Sequence, residues 1–114
     1  MNPGRSQVLH DALHAWVESA QIDMMIEEMS ELTKALLKAR RLTVDQLGTP
    51  EHTRRIDDIR EEMADVQIML DQMRIIFGGT EDHEQAKIAR LSMLIQDCRQ
   101  NAKEVAHESI GSQG

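Results

Sequence analysis

With 114 residues the chain is one domain at most, long enough to bury a modest core and too short for two. Apolar residues at 40% exclude a disordered chain, and because only 2% are aromatic the core has to be filled by Leu, Ile, Val and eight Met, a helical composition. A formal charge of −7 excludes a nucleic-acid surface, which needs a basic patch, and a single cysteine excludes an internal disulfide framework and fits a reducing compartment.

Ser6 is placed to cap a first helix whose apolar stripe is Val8, Leu9, Ala12, Leu13, Trp16, Val17 and Ala20. Trp16 lies inside that stripe and reads first as a core residue, with a second use at a pocket edge. His10 and His14 stand four apart on a flank, but no third ligand follows at zinc spacing. A second helix runs from Gln21 to about Arg41, with Ile22, Met25, Ile26, Met29, Leu32, Thr33 and Leu36 as its inner stripe. No Gly or Pro marks the join near Ser19, so one bent helix and two separate ones are both compatible with the pattern.

Thr43-Val44-Asp45-Gln46 has the spacing of a capping box and predicts a short turn stopped at Gly48. Thr49-Pro50-Glu51 then supplies a cap, a proline at the first helical position and an acid in the first turn. The third helix is expected over 50–77 with Ile56, Ile59, Met63, Val66, Leu70, Met73 and Phe77 inward, ended by Gly78-Gly79. Thr80 opens a fourth helix to about His107, with Ile88, Leu91, Leu94, Ile95, Cys98 and Val105 along one side. Cys98 belongs to that stripe and reads as a core thiol. The expected architecture is therefore all-α, a bundle of about four helices forming one domain over residues 1–107, with a mobile tail over 108–114. No apolar run approaches a membrane span and no signal peptide is visible, which makes the cytoplasm the expected location.

The second and third helices carry an echo. Glu27-Glu28-Met29-Ser30-Glu31-Leu32 recurs 34 positions later as Glu61-Glu62-Met63-Ala64-Asp65-Val66. At about 100° per residue, Glu28 falls on Glu62 and Glu31 on Asp65, both pairs beside the predicted stripe. If the helices pack antiparallel across a short loop, four carboxylates converge on one cleft. Such a cluster stays ionised only with a cation, and oxygen-only ligands select Mg²⁺, with Mn²⁺ as a substitute. Glu27 and Glu61 point further from the stripe.

On these residues the chain resembles the MazG-type all-α nucleoside triphosphate pyrophosphohydrolases, whose hallmark is Glu-Glu-x-x-Glu on one helix and Glu-x-x-Asp on a later one. The resemblance spans roughly Gln21 to Leu91 and departs from the family in the long segment between the acidic pairs, from Leu32 to Glu61. It implies that Glu28, Glu31, Glu62 and Asp65 hold Mg²⁺ and that a nucleoside triphosphate is hydrolysed at the α-phosphorus to monophosphate and pyrophosphate. The proton acceptor would be one of Glu27, Glu28 and Glu31. Lys87 and Arg90 look like the family's basic element for phosphate contacts, and Gln21, Trp16 and Asn101 are candidates for reading the base. The resemblance also implies a homodimer or homotetramer, with part of the pocket completed by a second chain. Two other readings compete. Glu104-Val105-Ala106-His107 has the Glu-x-x-His spacing of a di-iron carboxylate protein, though only once, and the acids could instead merely solubilise a helical oligomerisation module.

Overall fold

The computed structural model describes residues 3–111, which are all-α, with no strand among them. Four α-helices follow in order: α1 (Pro3–Ala15), α2 (Glu18–Arg40), α3 (Pro50–Phe77) and α4 (Glu81–Gly111), with a 3₁₀ turn at Val44–Gln46 between α2 and α3. The chain divides after Gly78 into a unit of α1, α2 and α3 and a second unit formed by α4.

Local chemistry explains most of the boundaries. The capping box forms as expected: the Thr43 backbone N–H donates to Gln46 Oε1 at 2.8 Å, and the Thr43 side chain completes the exchange. Gly48 then turns the chain at φ +80, which a side chain would resist. Thr49 Oγ1 accepts from the His52 N–H at 3.2 Å with Pro50 at the first position, so α3 starts where the sequence places it. At its other end Gly78 stops the helix at φ +108, its N–H bonded to the Arg74 carbonyl at 2.9 Å.

Two N-terminal expectations need correcting. Helix α1 begins at Pro3, so Ser6 lies within it and is not its cap. The first helix also stops at Ala15. Val17 is extended (φ −66, ψ 148) and α2 opens at Glu18, which makes two helices with a break at Trp16-Val17. Trp16 and Val17 consequently leave the expected stripe: Trp16 is 60% exposed, and of the predicted set only Leu9 is buried, with Ala12, Leu13 and Ala20 half-buried. At the other terminus α4 continues past His107 to Gly111, and residues 112–114 of the expected tail lie outside the described residues.

Helices α2 and α3 pack along their lengths, and α1 packs on α3. Along α2 Gln21, Met25 and Ala35 are buried and Glu28, Leu32 and Ala39 half-buried; along α3 Met69 is buried and Arg55, Ile59, Glu62, Val66 and Met73 half-buried, a seam on each helix. Both follow alternating four- and three-residue steps, the spacing that keeps one face against a partner over many turns. The 34-residue offset maps one seam onto the other, Glu28 onto Glu62 included. Residues early in α2 meet residues late in α3, since Gln21 and Met24 share a cavity with Met69 and Gln72, so the hairpin is antiparallel. Ile26, Met29 and Leu36 of α2, and Ile56, Met63 and Phe77 of α3, are exposed and leave the expected inner stripes. Apolar residues surround these helices, and the face that packs is the one carrying the acids. Helix α3 buries a broader arc in its second half because α1 lies there, pinned by an Arg5–Asp71 ion pair at 2.6 Å. No described helix is long and apolar enough to cross a membrane.

Candidate metal centre

Glu28 sits on the α2 seam between Met25 and Leu32, and Glu62 on the α3 seam between Ile59 and Val66. Asp65 follows Glu62 by three residues and so stands one turn along the same face. The antiparallel hairpin brings the three together: one carboxylate oxygen each from Glu28, Glu62 and Asp65 lies within 4.8 Å of the other two. No other trio of His, Cys, Asp or Glu among the described residues is grouped in this way, so neither His10 and His14 nor Glu104 and His107 assemble a site.

Packing these acids together is electrostatically costly. Partial burial, then the charge on Asp65, then those on Glu27 and Glu31 hold Glu28 above the ordinary glutamate range. Glu62 is raised for the same leading reasons, burial first and Asp65 second, followed by Glu28, Glu31 and Glu61. Glu62 Oε2 is sealed from solvent and has no hydrogen-bond partner. Among the described residues no Lys or Arg pairs with any of the three; Lys34 reaches only Glu31, at 3.4 Å. Three converging carboxylates, one with an orphaned buried oxygen and none with a cationic partner, form a donor set suited to a hard divalent ion.

The expected ligands therefore divide three to one. Glu31 lies outside the trio, tied to Lys34, yet near enough for its charge to raise both Glu28 and Glu62. Glu27 and Glu61 are exposed, off the seam, and bear on the centre only through their charge. Trp16 and Gln21 line a cavity of about 300 Å³ with Ala20, Met24, Met69 and Gln72. Lys87, Arg90 and Asn101 are exposed on α4, in the other unit. A larger groove of about 390 Å³ runs along α3 alone, from Pro50 to Arg60, and contains none of the clustered acids.

Sequence reasoning missed Gln72, which is 4% exposed with Oε1 unpaired. Its signal was its register, seven residues after Asp65, as Gln21 is seven before Glu28. No protein family, curated protein or solved structure matches this chain in comparisons with known proteins.

Proposed function

We propose that the chain is a Mg²⁺-dependent nucleoside triphosphate pyrophosphohydrolase, releasing a nucleoside monophosphate and pyrophosphate, with Mn²⁺ able to replace Mg²⁺. The observation that carries this reading is the meeting of Glu28, Glu62 and Asp65, with Glu62 Oε2 buried and without a hydrogen-bond partner. An acidic protein approaches a polyphosphate productively only through a cation placed between the two sets of negative charge. The motif pair that resembles the MazG-type enzymes supplies the substrate class.

In this reading Glu28, Glu62 and Asp65 hold the ion, and their placement on two rigid helices fixes its position. When bound, the ion supplies Lewis-acid stabilisation of charge developing on the phosphate oxygens. Glu31, adjacent to the trio but not part of it, is the carboxylate left to accept the attacking water's proton. Its contact with Lys34 is exposed and weak, so it does not hold Glu31 away from that role.

The test is pyrophosphate release across canonical, deoxy and modified nucleoside triphosphates, with and without Mg²⁺. Glu28→Gln and Asp65→Asn are expected to reduce turnover to background while the helical circular dichroism survives. Mg²⁺-dependent release retained by both variants would sink the assignment. One observation favours a second reading: every α4 residue from 81 to 107 is exposed, its apolar stripe included, as in a helical interaction module. Such a module lacks a cation site and should show no saturable rise in melting temperature with Mg²⁺.

A further inference from the structure

Helix α4 repeats the spacing of the two packed seams without their partner. Ile88, Leu91, Ile95, Cys98, Ala102 and Val105 succeed one another in alternating steps of three and four residues, and all of them are exposed. That alternation keeps a line of side chains against one other helix over successive turns. The line is narrow, flanked by Lys87, Ser92, Arg99 and Asn101 with Leu94 and Ala106 as the apolar exceptions, which suits a single partner helix better than a broad core.

The accessible surface leaves room for such a partner. The chain exposes 9176 Å², whereas a folded monomer of 13.0 kDa exposes about 6,300 Å². The surplus of roughly 2,800 Å² per chain is enough for an obligate homodimer, whose interface takes about 2,000–5,000 Å² from both partners together. Helix α4, exposed at every position from 81 to 107, is the most continuous stretch of it.

We propose that α4 pairs with α4 of a second copy of this chain, antiparallel, about a two-fold axis that crosses between Gln96 and Asp97. This pairing is independent of the hydrolase reading. It sets Ile88 against the partner's Val105, Leu91 against the partner's Ala102 and Ile95 against the partner's Cys98, and the two-fold repeats each layer. Every layer joins a larger side chain to a smaller one, so the layers have similar volumes. A parallel pair stacks like on like instead. It crowds Ile88, Leu91 and Ile95 into successive layers and leaves Ala102 facing Ala102, a layer too small to close. Ile at the first seam position with Leu at the second suits a parallel pair over one heptad, but the Ala102 layer removes that advantage from the next. Register is fixed by the same residues. Sliding the antiparallel pair by one heptad toward the start of α4 draws Glu84 into the seam, a carboxylate with no basic residue at a seam position to meet it.

Sedimentation of the full chain should show a dimer that forms with rising concentration. Ile95→Glu, on the seam, should raise its dissociation constant roughly a hundredfold or more. Met93→Glu should leave it unchanged, because Met93 is as exposed as Ile88 but lies on the opposite side of α4. Orientation is read from the distance between spin labels placed on Ala86→Cys in a Cys98→Ala chain, where the seam stays apolar and the label sits outside it. In the antiparallel pair, position 86 of one copy lies level with position 107 of the other, so the two labels are separated by about 30 Å of helix rise. A parallel pair holds them at one level, about two helix diameters or roughly 20 Å apart. A chain that stays monomeric at all concentrations, a dimer indifferent to Ile95→Glu, or labels at one level overturns the proposal.

Discussion

Glu62 shows how one side chain links the stability of the hairpin to its proposed role. Burial and the charge on Asp65 raise it, and Glu28 likewise. Because folding favours the protonated forms, these two acids contribute stability fully below the ordinary glutamate range, and lose it as pH rises through their raised values. Without divalent cations, Glu62→Gln should therefore melt higher than wild type at neutral pH. The difference should close on acidification below that range. Mg²⁺ should raise the wild-type melting temperature at neutral pH and leave Glu62→Gln nearly unmoved, since the ion relieves the repulsion that the amide has already removed. Equal Mg²⁺ shifts in the two proteins would show that Glu62 holds no ion. That Glu28, Glu62 and Asp65 meet was legible in the sequence, because Glu28-x-x-Glu31 and Glu62-x-x-Asp65 recur in register. That Glu31 stands aside was not: the motif gives spacing around each helix, whereas the trio depends on how two helices rotate against each other.

The elements were read best where local chemistry is self-contained. Thr49-Pro50 and Thr43 to Gln46 form caps from residues within a few positions of one another, and both appear as written. Thr49→Ala should cost about 1 kcal/mol in urea unfolding. The packing faces were read in part: Met25, Leu32, Ile59, Val66 and Met73 lie on them, while Met29 and Met63 do not, for a specific reason. Apolar residues alone place Met29 and Met63 inward, whereas the seam passes through Glu28 and Glu62, which a hydrophobic pattern counts as surface. Counting those two acids as seam positions restores the four-three spacing from Gln21 to Ala39 and from Arg55 to Met73. The rotation is testable by a pair of truncations. Met25→Ala removes a buried seam residue and should cost about 2–5 kcal/mol, whereas Met63→Ala, more than half exposed, should stay within about 0.5 kcal/mol. Equal costs would return the packing face to the purely apolar stripe.

At the scale of the molecule the open question is what α4 is for. In proteins most helical stability comes from packing an amphipathic face rather than from propensity. Helix α4 is a unit of its own, and Ile88, Leu91, Leu94, Ile95 and Val105 along it are all exposed. Unit one also leaves Met29, Met63 and Phe77 uncovered, and large exposed apolar surface marks association. The proposal of a homo-oligomer follows, with α4's stripe buried against a second copy. Its signature is concentration dependence: amide protection over 88–105 should rise with protein concentration in step with the oligomer seen by sedimentation. Leu91→Glu combined with Leu94→Glu should shift the protein to monomer and abolish that protection, while the protection of Met25 and Met69 in the hairpin persists. If α4 stays protected in the monomeric variant, its stability comes from its own chain, and the apolar stripe has no part in assembly.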